Sequence, residues 1–484
     1  MNYKMIGRIN ALILYIAAIF MLPALLISLF CRESRAAGAF GVSMLVTAAA
    51  ASLLMLLCGK AQKRFYAREG LVCVGLCWIV ISLFGALPLY LSGEFPAYID
   101  ALFEITSGFT TTGASVCLNV EELSRGVLYW RSFSHWLGGM GVLVFVLAII
   151  PINGKTDGFS VHLLRAESPG PDTSKLVPRM RQTAAISYLI YIVLTVLDVV
   201  VLCIGGMPFF DALCTAFGTA GTGGFGTRAD SIASFNPFIQ NTCTVFMLLF
   251  GVNFTCYFLA LRRQFKAVLF DEELRFYLGE FALATILFSV LIYRTYPTLG
   301  EAIRHSAFTT SSIMTTTGFV TADFDKWPTL AKAALLLLML GGACAGSTGG
   351  GIKARRSLIL IKSLRRNVHQ YLHPNRVQSI RVNGKPLDET VVRNTNIFFT
   401  AYILIIAASF LVISADRFSL TTSFASVMAC INNIGPGLEV CGPIGNYAAF
   451  SVVSKVVLIL DMLIGRLEIF PILVLFSRST WKRL

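Results

Sequence analysis

Four segments of the chain combine glycine and threonine in a pattern that could bind a cation. They align without gaps as DALFEITSGFTTTG (100–113), DALCTAFGTAGTGG (211–224), HSAFTTSSIMTTTG (305–318) and TSFASVMACINNIG (422–435). Each ends in glycine, which lets a chain turn and present its carbonyl groups in one direction. A ring of carbonyl and hydroxyl oxygens can replace the hydration shell of a small cation. The candidate positions are Thr111, Thr112, Gly113, Thr222, Gly224, Thr316, Thr317, Gly318 and Gly435.

The chain around these segments has the composition of a membrane protein. Of its 484 residues, 56% are hydrophobic and 14% are charged, and the mean hydropathy is +0.72. Its apolar runs are continuous and about 20 residues long, the helix length that crosses a bilayer. This pattern excludes a soluble enzyme with one anchor, a disordered chain and an outer-membrane barrel of alternating strands. We therefore predict an all-α polytopic membrane protein.

The Gly-ended segments fall in connections between apolar spans, all on one side of the predicted membrane. The predicted spans are 9–30, 37–59, 71–92, 130–151, 183–205, 238–261, 277–293, 331–352, 396–415 and 447–476. Irregular backbone at membrane depth is tolerated where it is buried in protein or lines a water-filled path. Four re-entrant segments around one axis meet that condition by forming a pore. The alternative, close crossings of small residues between helices, explains glycine in the spans but not four aligned copies in the connections.

Basic residues mark the opposite side of the membrane. Alternate connections hold 28 of the 40 lysine and arginine residues, and these connections are 1–8, 60–70, 152–182, 262–275, 353–393 and 478–484. The positive-inside rule makes this side cytoplasmic and places both termini there. The net charge of +14 therefore reflects membrane topology, and we predict no nucleic-acid partner. The basic stretch 353–393 could contact membrane lipid or dock a cytosolic partner, and the sequence leaves both open.

The Gly-ended motifs resemble those of one transporter family across nearly the whole chain. TTTG (110–113), GGFGT (223–227), TTTGF (315–319) and NNIGPGLE (432–439) are similar to the filters of the TrkH branch of the Trk/Ktr/HKT potassium transporters. The resemblance implies K⁺ as the transported ion, no organic cofactor, and Gly223, Asn433 and Ile434 as further filter residues. It also implies a homodimer, a cytosolic TrkA-like nucleotide-binding regulator and the bacterial cytoplasmic (inner) membrane.

The same resemblance implies four repeats of outer helix, pore helix and second helix in pseudo-fourfold arrangement. Two additional N-terminal transmembrane helices precede them and favour the TrkH type over the shorter KtrB type. The expected units are 1–67 for these two helices and 68–165, 166–268, 269–385 and 386–484 for the four pore repeats. The fourth filter has Asn432, Asn433 and Ile434 where two others have threonine, so a poorly selective monovalent cation channel is the alternative. Gly113 favours K⁺, because plant members with serine there are associated with Na⁺ transport.

A glycine-rich stretch interrupts the span that begins at 331. Six of the eleven residues in GGACAGSTGGG (341–351) are glycine, and each costs about 1 kcal/mol relative to alanine in a helix. A flexible plug beneath the filter fits this position, and the resemblance makes it an intramembrane gating loop with Gly346, Ser347, Thr348, Gly349 and Gly350. The alternative is a close-packed glycine face. A phosphate-binding loop does not match, because GxxxxGK[ST] is absent.

Arg466 is a charge inside the last apolar span. Such a charge faces the bundle interior or water and is usually functional. The resemblance makes it the pore-side arginine that opposes cation passage until the gate moves. Asp461 or Glu468 could instead hold it in a structural ion pair.

Other residues suggest weaker possibilities. A membrane-embedded hydrolase could use Asp198 with Asp211 or Asp461, but it leaves the repeats unexplained, so we predict that the chain is not an enzyme. His369 and His373 have helical spacing without a third metal ligand nearby. Cys117 and Cys441 could pair, and spacing alone does not decide this. Acidic residues near the outer mouth could concentrate cations or form a solvated edge, and these are Glu94, Asp100, Glu121, Glu122, Asp323 and Glu439. The sequence does not indicate whether H⁺ or Na⁺ is co-transported.

Overall fold

The computed structural model of the chain describes residues 1–59, 66–141, 180–375 and 378–481. Parts of the predicted span 130–151 and of the basic connections 60–70, 152–182, 353–393 and 478–484 lie outside the described residues. The expected boundary between the first and second repeats at 165 and 166 also lies outside them.

The protein is all-α, as predicted. The helices are α1 (Tyr3–Phe20), α2 (Leu22–Phe30), α3 (Ser34–Cys58), α4 (Ala67–Gly85), α5 (Leu87–Leu91), α6 (Tyr98–Phe109), α7 (Arg125–Gly139), α8 (Met180–Ile204), α9 (Phe209–Gly221), α10 (Pro237–Phe250), α11 (Phe254–Leu261), α12 (Phe265–Leu269), α13 (Glu272–Ile292), α14 (Leu299–Met314), α15 (Thr329–Leu338), α16 (Ala354–Leu372), α17 (Glu389–Ile413), α18 (Leu420–Ile431), α19 (Val452–Arg466), α20 (Phe470–Phe476) and α21 (Arg478–Trp481). Single 3₁₀ turns form at Val120–Glu122, Phe324–Lys326, Ser414–Asp416 and Glu439–Cys441. A two-stranded antiparallel hairpin pairs β1 (Arg381–Val382) with β2 (Lys385–Pro386), with Arg381 opposite Pro386.

Within the described residues, six helices are long and apolar enough to cross a membrane. They are Tyr3–Phe30, Ser34–Cys58, Arg68–Leu91, Ala185–Ile204, Glu272–Ile292 and Glu389–Asp416. The pair α10 and α11 would make a seventh, but it bends by 88°. The predicted spans 331–352 and 447–476 are broken as well, at the glycine-rich segment and at Leu467–Ile469. Hydropathy predicted these three broken segments as continuous spans, because a break in the backbone does not change the apolar character of the side chains.

Each repeat has a long first helix, a short re-entrant helix and a second helix. The first helices are α4, α8, α13 and α17, and the short helices are α6, α9, α14 and α18. The long helices expose leucines on their outer faces, as Leu283 (71% exposed) and Leu404 (65%) illustrate. A lipid-facing surface accounts for such exposure in a chain of this composition. The short helices, in contrast, bury nearly every residue of their last two turns.

Side-chain caps determine where several of these helices begin. The hydroxyl of Ser124 accepts from the amide of Val127 at the start of α7, and Asn236 Oδ1 accepts from the amide of Ile239 at 2.9 Å at the start of α10. Ser451 Oγ does the same for α19. Each cap satisfies one of the amide groups that lack a partner in the first turn of a helix. The second helices of three repeats therefore begin at a Ser or Asn placed just before the apolar run.

Packing between repeats follows one rule at three of the four junctions. The short helix of a repeat packs against the second helix of the preceding repeat, so that α9 contacts α7 and α14 contacts α10. The first short helix, α6, packs against α19 of the fourth repeat. The contact between the last and first repeats closes a circle, with the four short helices inside it.

Candidate ion-binding site

The four short helices end in the same backbone conformation. The left-handed residue is the second one after helices α6, α14 and α18 and the first one after α9. None of the four is glycine. They are Thr111 (φ 57°), Thr222 (55°), Thr316 (59°) and Asn433 (56°). A left-handed threonine is unusual, because its β-branch is crowded in that conformation. Strained conformations of this kind persist where the surrounding structure fixes them, often at functional sites.

One hydrogen bond recurs at the end of all four helices. The amide of the next residue returns to a carbonyl five positions earlier, which is the Schellman arrangement of a helix end. The pairs, from donor to acceptor, are Thr112 N to Ser107 O, Gly223 N to Gly218 O, Thr317 N to Ser312 O and Ile434 N to Ala429 O, each at 2.8 Å. The sequence alignment placed these residues in the same register, so the four segments share geometry as well as composition.

The glycines that follow form a closed ring of contacts. A Cβ atom on each glycine would lie within 3.0 Å of a carbonyl oxygen in the next repeat. The pairs are Gly113 with Gly223, Gly224 with Thr317, Gly318 with Ile434 and Gly435 with Thr112. All four glycines have positive φ, from 78° to 94°. Glycine is therefore required here both by its backbone conformation and by the close approach of the neighbouring segment.

Threonine hydroxyls behind the ring bond to one another in two repeats. Thr110 Oγ1 lies 2.8 Å from Thr112 Oγ1, and Thr315 Oγ1 lies 2.8 Å from Thr317 Oγ1. Asn433 of the fourth repeat donates to Thr112 Oγ1 at 3.0 Å. These hydroxyls stabilise the segments from behind. The backbone carbonyls are consequently the groups best placed to coordinate an ion.

The two asparagines of the fourth segment are tied to the surrounding helices. Asn432 Oδ1 accepts from the hydroxyl of Tyr402 at 2.8 Å, and Asn433 Nδ2 donates to the carbonyl of Met462 at 2.9 Å. Both asparagines are fully buried. The fourth segment thus departs from the threonine pattern in its side chains while it keeps the backbone conformation of the others.

The glycine-rich segment 341–351 is irregular and docks on the break between α10 and α11. The amide of Cys344 donates to the carbonyl of Gly251 at 2.9 Å, and the carbonyl of Gly346 accepts from the amide of Phe254 at 3.1 Å. Thr348 Oγ1 donates to the carbonyl of Phe250 at 3.2 Å. The broken helix of the second repeat therefore exposes backbone groups that the segment satisfies.

The same segment lies directly against the ends of two short helices. The amide of Gly350 donates to Thr316 Oγ1 at 2.6 Å. A Cβ atom on Gly350 would lie 2.8 Å from the carbonyl of Asn432, and one on Gly349 would lie 2.9 Å from the carbonyl of Thr315. Ser347 bonds within the segment, to the carbonyl of Cys344. Glycine permits this close contact, because a Cβ atom at either position would meet these carbonyl groups.

Arg466 connects the first Gly-ended segment to the glycine-rich segment. Its guanidinium donates to Thr111 Oγ1 at 3.2 Å and to the carbonyl of Thr348 at 2.8 Å. It also donates to the carbonyls of Gly138 and Gly139, where the C-terminal end of α7 carries partial negative charge. The two acids that the sequence offered as partners bond elsewhere: Glu468 with Arg356, and Asp461 with Ser409.

A small cavity lies on the Arg466 side of the ring. Its volume is about 90 Å³, and Gly139, Gly350, Lys353, Arg466 and Glu468 are among the residues that line it. The cavity brings together residues from the first, third and fourth repeats. The glycine-rich segment and Arg466 both border this cavity.

His135 is a site residue that the sequence analysis missed. It is fully buried in α7, with Nδ1 2.8 Å from the carbonyl of Gly108 and Nε2 3.3 Å from the amide nitrogen of Phe225. A neutral ring with its proton on Nδ1 satisfies both contacts. A Cβ atom on Gly221 or Gly223 would clash with this residue. His135 thus bridges the first and second repeats, and its only sequence signal was a histidine within an apolar span.

A buried ion pair holds the chain that leaves the first ring glycine. Arg131 Nε donates to Glu104 Oε1 at 2.8 Å, and both side chains are at most 2% exposed. The carboxylate also accepts from Ser115 Oγ and, at 2.9 Å, from the amide of Val116. The Arg131 guanidinium lies 4.2 Å from the centre of the Phe225 ring. This network fixes the first segment against the second and was also missed.

The remaining candidate residues lie on several different segments of the described chain. Asp198 and Asp211 belong to the second repeat and Asp461 to the fourth. The rings of His369 and His373 lie 4.8 Å apart and are tilted by 46°, and no group of three or more metal-ligating residues forms within the described parts of the chain. Cys117 and Cys441 both carry free thiols.

Several of the outer acids are bonded into the protein. Asp100 pairs with Lys455 at 2.7 Å, and Glu94 accepts from the amide of Ser124. Glu439 accepts from Ser419 and Thr422, and the hydrogen bond from Ser419 is the main reason why the pKa of Glu439 lies below its usual value of 4.5. These acids are therefore part of the hydrogen-bonding network of the protein.

Comparison with known proteins identifies the family. The sequence profile of the TrkH family, described as a cation transport protein, matches residues 38–483. The chain is 37% identical to the Trk system potassium uptake protein TrkH of Escherichia coli K12 over 100% of both chains, and 34% identical to TrkG of the same organism over 99% of both. Its fold is similar to the crystal structure of the potassium transporter TrkH from Vibrio parahaemolyticus, with a TM-score of 0.88, 32% identity and 100% of each chain covered. The chain is therefore a multi-pass membrane protein that belongs to the TrkH family of cation transport proteins.

Proposed function

We propose that the chain takes up K⁺ across the bacterial cytoplasmic membrane through a pore at the centre of its four repeats. The observation that carries this proposal is the closed ring in which each glycine contacts a carbonyl of the next repeat. The filter comprises Thr111, Thr112, Gly113, Thr222, Gly223, Gly224, Thr316, Thr317, Gly318, Asn433, Ile434 and Gly435. In this ring the four carbonyls at Thr112 and its equivalents replace water around a dehydrated cation. The relatives TrkH and TrkG are potassium uptake proteins, which supports K⁺ as the ion.

The membrane potential supplies the driving force. Moving one elementary charge across 100 mV is worth about 2.3 kcal/mol, which corresponds to roughly 50-fold accumulation. The chain carries no Walker-type phosphate loop, and its family consists of transport proteins. Uptake therefore needs neither an organic cofactor nor ATP hydrolysis on this chain.

The gate consists of Gly346, Ser347, Thr348, Gly349 and Gly350 together with Arg466. Hydrogen bonds from this segment to Thr316 and to the α10–α11 break hold it beneath the filter. Arg466 places a positive charge next to Thr111 on the same side. Opening requires the segment to leave these contacts and the charge to move away from the ion path. A cytosolic TrkA-like nucleotide-binding regulator drives this change by acting on the cytoplasmic helices that follow the segment.

The chain consists of two N-terminal transmembrane helices (1–67) followed by four pore repeats, 68–165, 166–268, 269–385 and 386–484. It acts as a homodimer in the lipid bilayer. Both termini lie in the cytoplasm. The position of the chain ends supports this topology, because Tyr3 stacks on Trp481 at 6.4 Å between ring centres. The two ends of the described chain are thus on the same side of the helix bundle.

Ion flux into proteoliposomes tests this function. We expect protein-dependent uptake of K⁺ and Rb⁺, driven by an inside-negative potential, to exceed uptake of Na⁺. The second candidate is a poorly selective monovalent cation channel, which the non-threonine residues Asn433 and Ile434 favour, and it predicts similar uptake of the three ions. An absence of uptake of any of the three ions by intact reconstituted protein would refute both.

A further inference from the structure

A groove runs along α17 from the end that faces the cytoplasm in the proposed topology. Its volume is about 520 Å³. Arg366, Arg393 and Glu389 line it together with the apolar side chains Ile397, Ala401 and Leu404 of α17, so two positive charges face one negative charge. Positions 393, 397, 401 and 404 recur at three- and four-residue spacing, which places them on one face of the helix. The groove is therefore basic at its cytoplasmic end and apolar toward the middle of the membrane.

A second, basic pocket adjoins the groove and shares Arg366 with it. It has a volume of about 550 Å³, and Lys362, Arg365, His369 and Arg381 also line it. Among the described residues, two acids pair with these basic side chains: Glu272 with Lys362, and Glu389 with Arg366. The combined surface therefore carries an excess of positive charge.

The depth of this surface is indicated by the helices on which it lies. Glu272 and Glu389 are the first residues of α13 and α17, both of which are long and apolar enough to span the membrane. Their ion pairs with Lys362 and Arg366 place the basic pocket level with the ends of two spans. That level is where the phosphates of the inner leaflet lie. From there the groove continues along α17 to Ile397 and Leu404, which are 50% and 65% exposed.

We propose that the groove and the pocket together bind an anionic phospholipid of the inner leaflet. The headgroup phosphate contacts Arg366 and Arg393, and one acyl chain lies along Ile397 and Leu404. Basic pockets between membrane helices on the cytoplasmic side are suited to anionic headgroups. A soluble phosphate would leave the apolar wall exposed, whereas a lipid covers both parts at once.

The position of this lipid gives it a direct route to the gate. The surface includes α16, which begins at Ala354, three residues after the glycine-rich segment ends at Gly351. A lipid bound between α16 and α17 restrains the helix that must move when the segment leaves the pore. This consequence rests on the proposed function and the assignment to the inner leaflet rests on the proposed topology, whereas the binding site itself rests on neither.

Lipid binding to the purified full-length chain tests the site without any transport measurement. The protein is delipidated in mild detergent and titrated with phosphatidylglycerol, phosphatidylcholine or glycerol 3-phosphate, and bound lipid is counted by native mass spectrometry. We expect tight binding of phosphatidylglycerol alone. The double variant Arg366→Gln/Arg393→Gln should bind phosphatidylglycerol more weakly, by about fivefold for each arginine removed. Thr400→Phe, which fills the groove without a change of charge, should weaken it too.

Lys266→Gln is the matched control, since it removes one exposed positive charge from α12, outside the groove, and should bind like the unaltered chain. Binding of phosphatidylglycerol at the unaltered level by both groove variants would overturn the proposal. So would equal binding of glycerol 3-phosphate, which would indicate a site for soluble anions. A loss of dimers in Thr400→Phe with lipid binding intact would show that a second copy of the chain covers the groove instead. Because no ion flux is measured, failure of the proposed function would leave this result unaffected.

Discussion

Gly435 of the fourth repeat rests against the carbonyl oxygen of Thr112 in the first repeat, and a Cβ atom at position 435 would lie 2.6 Å from that oxygen. This contact joins the end of the repeat array to its beginning. The backbone of Gly435 also has φ +94°, which strains any side chain. The ring closes only if residue 435 leaves room for the carbonyl oxygen of Thr112 and adopts a positive φ without strain. Glycine meets both conditions.

The first prediction concerns the ring glycines. In Gly113→Ser and Gly318→Ser the added side chain pushes a carbonyl of the next repeat out of place, so we expect the preference for K⁺ over Na⁺ to fall about tenfold or more. Competitive flux of the two ions into proteoliposomes measures this. Gly300→Ser in α14 is the control, because open space surrounds the position of its Cβ. An unchanged ion preference in both ring variants would argue against the ring as the filter.

The second prediction concerns the docking of the glycine-rich segment. Thr348→Val keeps the shape of the buried side chain but removes its hydrogen bond to Phe250. Loss of about 1 kcal/mol of docking energy should raise K⁺ flux without a regulator about fivefold. Deletion of residues 346–350 should raise it further. Ser347→Ala is the control, because Ser347 bonds within the segment. Lower flux in the deletion, with an intact fold, would show that the segment is not a plug.

The third prediction concerns the charge of Arg466. At 4 Å and an effective dielectric constant of 20, it repels a cation by about 4 kcal/mol, and a third of that is about a tenfold barrier. Arg466→Ala should therefore increase K⁺ flux about tenfold, while Arg466→Lys, which keeps the charge, should change it much less. Lower thermal stability of Arg466→Ala with unaltered flux per molecule would assign the residue a structural role instead.

The fourth prediction concerns His135. His135→Phe preserves an aromatic ring but loses the contacts to Gly108 and Phe225. We expect the free energy of unfolding to fall by about 2 kcal/mol, since two buried hydrogen bonds are lost. The preference for K⁺ over Na⁺ should fall as well, because His135 holds the first and second segments together. His373→Phe, at an exposed histidine, is the control. Reduced stability with unaltered ion preference would leave His135 a packing residue only.

The fifth prediction concerns pH. The pKa of Glu439 in the folded protein is below 4.5, chiefly because Ser419 donates a hydrogen bond to its carboxylate. The ionised group therefore stabilises the fold above pH 4.5, and this contribution is lost as the pH falls through the folded pKa. Glu439→Gln should melt at a lower temperature at pH 7 and should lose less stability than the unaltered chain between pH 7 and pH 4. Glu301→Gln is the control. An unchanged pH dependence in Glu439→Gln would contradict this assignment.

The sequence was sufficient to predict the four Gly-ended segments because their geometry is local. Thr111 and Thr316 occupy the same place in their segments, and each adopts the left-handed conformation at the end of a short helix. Spacing alone therefore placed equivalent residues at equivalent positions. The interruption of the helix at the glycine-rich stretch could also be predicted, since consecutive glycines disfavour a helix whatever surrounds them.

The parts that escaped prediction depend on contacts between distant residues. His135 acquires its role from Phe225, ninety positions later in the chain. Arg466 was named from the sequence, but its contact with Thr111, 355 positions away, was not. The break between α10 and α11 was hidden for a different reason: residues 251–253 interrupt an apolar run without changing its hydropathy. The break becomes understandable only when the glycine-rich segment is seen to bind its free backbone groups.

The ring itself can be tested most directly by locating a bound ion. Crystals or frozen particles prepared in Rb⁺ or Tl⁺, which replace K⁺ and scatter strongly, should show a peak at the centre of the ring. We expect that peak to lie within coordination distance of the carbonyl oxygens of Thr112, Gly223, Thr317 and Ile434, and to weaken when Na⁺ replaces the heavier ion or when Gly113 is changed to serine. An ion bound elsewhere in the protein with no peak in the ring would contradict the assignment of these residues as the filter.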